Sequence, residues 1–278
     1  MGGDPIKKKL TIFLLMTVMV GAAFAAGCTG NGGNGDNGEN GENGQQELPS
    51  ELIHGLDANY PPYTFMTEEG NAAGFDVEVV EMIAQDQGFN VTHKPVSWDG
   101  IVTALNEGEI DFIASGMTIN PERAEKVTFS IPYDSYVHEI VVPKGSDLTV
   151  EDLKNGETQT VACQLGATSD KWVDELINER GWNIEKLGLD SYAAAAEAVT
   201  QGRAAAFVSD SAWTGPNLKK EQYSNLESLT PIGPTYYYGY AVRQGDQAIL
   251  NAVNYGLQHV MGTQEWRNLR MKYNMSLG

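Results

Sequence analysis

The chain has 278 residues, with 37 acidic side chains against 18 Lys and Arg, a formal net charge of -19 at pH 7. So acidic a balance, with no basic patch to break it, excludes nucleic acid as a partner. Two cysteines, Cys28 and Cys163, leave no room for a disulfide framework, and Cys163 sits in an apolar run that reads as the place of a buried thiol.

At the N-terminus, Lys7, Lys8 and Lys9 precede an apolar run from Leu10 to Ala26 that is broken only by Thr11 and Thr17. Basic residues, then an apolar stretch, then small residues make residues 1–28 a signal peptide. The Cys28 that follows Ala25-Ala26-Gly27 resembles a lipoprotein cleavage box, in which the new N-terminal cysteine carries a lipid; Ala25 stands where that box usually has a larger aliphatic. The alternative is a retained anchor helix, since the run is close to the lower limit for a span. Both put the bulk of the chain outside the cytoplasm and tethered to a membrane. Residues 29–47 are nearly all Gly, Asn, Gln and acidic residues, a disordered linker with no apolar side chain to drive collapse. Its Gly30-to-Gly35 stretch fits a GxGxxG pattern, but no strand precedes it and no amphipathic helix follows.

From Leu48 onward, short apolar runs alternate with helical periodicity, which implies an α/β fold with largely parallel sheets. Strands are expected at Leu52–Leu56, Val91–Val96 and Ile110–Ala114, with helices at Phe75–Ala84 and Gly100–Asn106 between them. After Val137–Val142 the pattern restarts. A strand at Thr160–Gln164 is followed by a helix capped by Ser169, then an Ala-rich helix capped by Ser191, then a strand at Ala204–Val208. Tyr236–Val242 reads as a strand. Ile249, Leu250, Val253, Leu257 and Val260 mark a long helix, and Thr263 caps a last one. Two similar blocks with a C-terminal extension suggest a chain that returns to its first lobe, with hinge strands near Tyr136–Val142 and Thr235–Val242.

The segment from Ser115 to Arg123 carries the most chemistry. It follows a buried strand, places Pro121 at a first helical position and ends on Arg123. Free N–H groups, the Thr118 hydroxyl and a guanidinium fork in that arrangement can hold a carboxylate. An ordinary strand-to-helix turn with a solvated Arg remains the alternative. The four histidines, His54, His93, His138 and His259, are scattered, and no HExxH, CxxC or GxSxG motif is present, so no metal or other cofactor is expected.

Several blocks in one order bear a wider resemblance: Asp57-Ala-Asn-Tyr60-Pro61-Pro62-Tyr63, Gly74-Phe75-Asp76, Trp98 to Leu105, Gly108 to Asp111, Ser115 to Arg123, Phe129 to Tyr133, Gln164 to Thr168, and Phe207 to Asp210. Together they resemble the family-3 extracellular solute-binding proteins of polar amino-acid ABC importers, over nearly all of the chain after the linker. The resemblance implies a two-lobed periplasmic-binding-protein-like (type II) α/β fold with two hinge-crossing strands. Lobe 1 would comprise residues 48–138 and 239–278, and lobe 2 residues 139–238.

It further implies a receptor that closes on a free amino acid and delivers it to an ABC transporter permease, as a monomer with a lipid anchor. Arg123 and Thr118 would hold the ligand carboxylate, with Thr168 adding a contact from lobe 2. Asp210 would take the ammonium, helped by acceptors at Ser115 and Gly116. Tyr60 and Trp98 would sandwich the side chain, and Asp57 would stand near its far end, mildly favouring a polar or cationic one. The residues alone leave plainer roles open: core aromatics at Tyr60 and Trp98, a turn acid at Asp57, a helix cap at Asp210, and a helix-start acid at Asp76. Two rival functions are kept in view. A cyclohexadienyl dehydratase-like enzyme would need an acid in the Gly166–Asp170 loop, where only Asp170 stands. A ligand sensor would need a separate signalling partner, since no such domain lies before Gly278.

Overall fold

The structure, a computed structural model, describes residues 47–276. The expected signal peptide, the lipid-bearing Cys28 and all of the linker but Glu47 lie outside the described residues. In chain order the elements are β1 (Glu51–Leu56), β2 (Asn59–Tyr60), β3 (Thr64–Met66), β4 (Ala72–Ala73), α1 (Phe75–Gln87), β5 (Asn90–Pro95), α2 (Ile101–Asn106), β6 (Phe112–Ile113), α3 (Pro121–Ala124), β7 (Val127–Phe129) and β8 (Asp134–Pro143). There follow α4 (Val150–Asn155), β9 (Gln159–Gln164), α5 (Thr168–Asn178), β10 (Ile184–Leu189), α6 (Tyr192–Thr200), β11 (Ala206–Asp210), α7 (Ser211–Asn217), β12 (Leu226–Tyr238), β13 (Ala241–Arg243), α8 (Gln247–Met261) and α9 (Gln264–Lys272).

They form two five-stranded sheets, β5-β1-β6-β13-β7 and β10-β9-β11-β8-β12, with a small sheet β2-β3-β4. In the first, β1 runs parallel to β5 and β6, as crossover helices require, while β13 arrives from far along the chain and pairs antiparallel to β6 and β7. The second sheet is buried on both faces. Val161, Cys163, Ile140, Val142 and Val208 pack with Trp172 on one side; Ala162, Val141 and Phe207 pack with Tyr192, Ala195 and Trp213 on the other. That is the strand period of two, covered above and below, and it explains the near-continuous apolar runs. Among the described residues Cys163 is the free cysteine, and it is buried. On the first sheet α1 buries Phe75, Val79, Val80 and Ile83, ends at a left-handed Gly88, and lies against α8. A Cβ on Gly256 of α8 would come 2.6 Å from Ile83 Cγ2, so glycine permits the close approach.

Three local expectations differ from the structure. Only Phe112 and Ile113 of the Ile110–Ala114 run form a strand, because the Asp111 carboxylate accepts the Ile53 N–H at 2.8 Å in place of a backbone carbonyl. The stretch Tyr236–Val242 is split: β12 ends at Tyr238 and β13 begins at Ala241 in the other sheet, with the Gly239 N–H donating to the Met117 carbonyl and the Tyr240 N–H to the Ser130 hydroxyl. Helix α5 starts at Thr168 with Ala167 as its uncapped N-cap, and Ser169 instead shares a 3.0 Å hydrogen bond with the Tyr192 hydroxyl. Ser191 and Thr263 cap α6 and α9, accepting from Ala194 and Trp266.

Two passages join the sheets, from β7 to β8 and from β12 to β13. β8 and β12 lie antiparallel beside each other, and the loop after β6 is stitched to them: the Ile119 N–H donates to the Tyr237 carbonyl, and Thr118 bridges Tyr238. The segment Ser115–Arg123 is thereby fixed beside both connections.

Candidate functional site

One small cavity is lined by Asp57, Tyr60, Trp98, Ser115, Gly116, Thr118, Arg123, Gln164, Ala167, Thr168, Tyr192 and Asp210. The nine ligand-contact positions expected from the sequence, Asp57, Tyr60, Trp98, Ser115, Gly116, Thr118, Arg123, Thr168 and Asp210, all stand on it. They come from the residue after β1, from β2, from the segment after β5, from the loop after β6 and from α3 on one side, and from the start of α5 and the end of β11 on the other. No stretch of sequence holds both halves, so the fold is what brings them together.

At one end, Asn120 caps α3 by accepting the Arg123 N–H, which sets the direction of the Arg123 side chain. Its guanidinium is buried, lies 5.2 Å from the centroid of the Trp98 ring, and donates to the Thr118 carbonyl at 3.2 Å and to the Gly166 carbonyl at 3.0 Å. Among the described residues no carboxylate lies within ion-pair distance of it, so part of its five-donor fork is free to meet an anion. Burial lowers its affinity for its proton below the usual, while the nearby tyrosines and Asp210 push the other way. The uncapped N-terminus of the eleven-residue α5 adjoins the same end through Ala167 and Thr168, adding partial positive charge. The Thr118 hydroxyl is held by that of Tyr136 at 2.8 Å.

At the other end stands Asp210, 5% exposed, the last residue of β11. It occupies the N-cap position of α7 but makes no side-chain cap bond. Its Oδ2 accepts from the hydroxyls of Tyr60 at 3.1 Å and Tyr238 at 2.9 Å, and these two hydroxyls lie 2.5 Å apart. Its Oδ1 is buried without a well-formed hydrogen bond. Burial, then the Asp210 charge, raises the Tyr60 hydroxyl well above its ordinary range, so Tyr60 stays a neutral donor. Gly116 has φ 57, and a Cβ there would fall 2.3 Å from the Tyr60 ring, so both its backbone and its bareness are required.

Asp76 stands in the first turn of α1, as a helix-start acid would, and its carboxylate is fully buried behind this loop. It accepts from the Gly116 N–H at 2.8 Å, Tyr133 at 2.8 Å and Tyr240 at 3.1 Å. Burial raises it from 3.8 to about 7. Ser115 is held by the Asp57 N–H and by Thr64.

Asp57 closes the remaining side. Its carboxylate accepts from the Asn59 N–H and, across the cavity, from Gln164 Nε2 at 2.9 Å; burial raises its proton affinity and those two bonds partly offset it. Asp57 and Trp98 also line a larger, more open adjoining space that carries Asp99 and Asp190 as well. Gln164, Ala167 and Tyr192 were missed as lining residues. Gln164 and Ala167 lay inside a block already quoted, and the polar end of an otherwise apolar strand was the available signal at Gln164. Tyr192 carried none, since a tyrosine on the buried face of a capped helix reads as core. Asp170, the acid expected in the Gly166–Asp170 loop, stands in the first turn of α5 and is tied up: it accepts the Gly166 N–H and pairs with Lys186 at 2.8 Å.

Known proteins resemble this chain in sequence and in fold. A model of the bacterial extracellular solute-binding proteins, family 3, matches residues 52–276. A probable histidine-binding protein of Neisseria gonorrhoeae is 30% identical over 219 residues, covering 78% of this chain and 80% of the relative. An ancestral arginine-binding protein, solved with arginine bound, superposes with a TM-score of 0.72 at 33% identity, covering 82% of this chain and 99% of that one. An ancestral amino-acid-binding protein described as a precursor of cyclohexadienyl dehydratase gives a TM-score of 0.72 at 33% identity, covering 81% and 95%.

Proposed function

The chain belongs to the bacterial extracellular solute-binding proteins, family 3, and from that premise we propose that its cavity captures a free α-amino acid for delivery to an ABC importer. One observation carries the reading: Arg123, a buried guanidinium with no carboxylate partner among the described residues, and Asp210, a buried carboxylate with one oxygen that lacks a well-formed hydrogen bond, line the same small space. An amino-acid zwitterion completes both. Its carboxylate takes the free part of the Arg123 fork, with Thr118 and the start of α5, and its ammonium takes Asp210 Oδ1 with acceptors at Ser115 and Gly116. Each contact is charge-assisted among largely buried side chains, which gives affinity and orientation together.

The side chain then runs between Tyr60 and Trp98 toward Asp57. The adjoining acidic space suits a polar or cationic group, which a tryptophan face also attracts. Residues 48–138 with 239–278 act as one lobe and 139–238 as the other, closing about the two passages between the sheets. Gln164 bonding to Asp57 and Gly166 bonding to Arg123 are the latches of the closed form. The receptor works outside the cytoplasm as a monomer held by a lipid on Cys28, and residues 29–47 keep it near its permease at high effective concentration. It is no enzyme in this reading, because Asp170 is neutralised by Lys186 rather than poised over the cavity.

A thermal-shift screen of the twenty amino acids tests the assignment. A true ligand at about a hundred times its Kd adds about 2.7 kcal/mol and should raise Tm by roughly 5–10 °C; no shift with any of them would remove the amino-acid reading. Asp210→Asn keeps size and the tyrosine contacts but drops the charge. We expect it to weaken binding by about 1.5–3 kcal/mol by calorimetry, the usual worth of a hydrogen bond to a charged group. Wild-type affinity would move the ammonium elsewhere.

A further inference from the structure

His138 stands on β8 directly across from Asp210 on β11, as its antiparallel register partner. Its imidazole is fully buried, yet neither ring nitrogen has a well-formed hydrogen bond. It is walled in by rings: Tyr136 on its own strand at 5.4 Å between centroids, Trp172 of α5 at 5.2 Å and Tyr236 of β12 at 4.8 Å. Among the described residues, the acidic oxygen within ion-pair distance of the ring is Asp210 Oδ1, 3.4 Å from Nδ1. That oxygen is the one left without a well-formed bond while Oδ2 serves Tyr60 and Tyr238. His138 does not line the cavity; Asp210 lies between them.

We propose that His138 is a positioning residue for ligand capture, and that a proton on its imidazole and the ammonium of the bound amino acid compete for Asp210 Oδ1. The inference rests on the reading of Asp210 as the ammonium site. In the ligand-free protein, protonated His138 gives the buried carboxylate a cationic partner within the fold. An arriving ammonium brings the same charge to the same oxygen, in surroundings of low polarity where two cations on one carboxylate oxygen repel strongly. One of them must go, and the one free to lose its charge is the imidazole. Binding therefore expels a proton, and the neutral ring stays behind Asp210 as a wall that fixes the carboxylate. By linkage, affinity rises with pH wherever the ligand-free protein holds the proton that binding expels, and an acid surrounding favours release.

The other charged and titratable groups around the ring do not replace it. Glu139, next on β8, points to the Thr214 hydroxyl. Glu175 and Arg180 act on the Tyr236 hydroxyl with opposite signs. Tyr136, Tyr60 and Tyr238 all have their hydroxyls raised well above the ordinary range, first by burial, so they stay neutral. Arg123 keeps its charge on the far side of the cavity.

The test is titration calorimetry of the wild type and of His138→Gln with L-arginine and L-glutamine, from about pH 5 to about pH 8, in buffers of different ionisation heat. Glutamine keeps a polar group in the ring cage, and L-glutamine as probe removes any pH effect that a cationic side chain would draw from Asp57. For the wild type we expect proton release on binding, of equal size with both amino acids, and affinity that falls by up to about tenfold per pH unit on the acid side. In His138→Gln that release and slope should vanish while binding near pH 8 persists. Binding with the same proton release in both proteins, or with none in the wild type, overturns the role of His138 and leaves the site standing. If neither amino acid binds the wild type at any pH, the amino-acid reading itself fails and this inference with it.

Discussion

Replacing Arg123 with Ala should weaken amino-acid binding by about 2–5 kcal/mol, roughly 30-fold to several-thousand-fold in Kd, as measured by calorimetry. The size follows from where the group sits. The guanidinium is buried against Trp98, with two backbone carbonyls as its partners and no carboxylate within ion-pair distance among the described residues. Removing it leaves a ligand carboxylate in a closed cavity with Thr118 and the end of α5 alone, and the desolvation cost of that anion is no longer met. Arg123→Lys separates charge from geometry. It restores a point charge but not the planar fork, so an intermediate loss is expected. Arg123 also donates across to Gly166, so the Ala variant loses a latch of the closed form as well as a ligand contact. Equal affinity in wild type and Arg123→Ala would place the ligand carboxylate elsewhere and dissolve the reading of the cavity.

The parts that could be read from the sequence were those set by local chemistry. Pro121, the capping Asn120 and Arg123 lie within four residues, so a short helix start that aims an arginine needed no tertiary information. The same holds for the apolar runs of β9 and β11, buried on both faces, and for the capped helices α6 and α9. Where the structure departs, a distant partner decides. Asp111 turns its carboxylate to the Ile53 N–H, and a strand is shortened. Gly239 and Tyr240 exchange one sheet for another because Met117 and Ser130 offer bonds there. Ser169 gives up its cap to meet Tyr192. Asp76 and His138 were missed as parts of the site for the same reason: each supports a residue far away in the chain, and neither touches the cavity.

Asp76 makes a second large effect, on stability against pH. Burial holds its carboxyl up, from 3.8 to about 7, against the three bonds it accepts. Between those values the folded protein binds a proton that the unfolded chain does not, so folding stability falls as pH rises through the window. About three pH units at about 1.4 kcal/mol each make this on the order of 4 kcal/mol. His54 works in the opposite sense. It is buried, its Nε2 bonds the Ala114 carbonyl and its Nδ1 meets His93, and burial followed by that neighbour lowers it from 6.5 to about 3. There the unfolded chain binds the extra proton, so stability is present above about 6.5 and drains away as pH falls toward about 3. The two slopes overlap and largely cancel in the wild type, which makes a bare pH–stability curve uninformative. The difference between wild type and Asp76→Asn isolates the carboxyl. Asparagine can still accept the Gly116 N–H and never ionises. Urea unfolding should therefore show the variant gaining on the wild type by on the order of 4 kcal/mol between about pH 4 and about pH 8. A constant difference across that range would mean that Asp76 is ionised throughout, its three donors outweighing its burial.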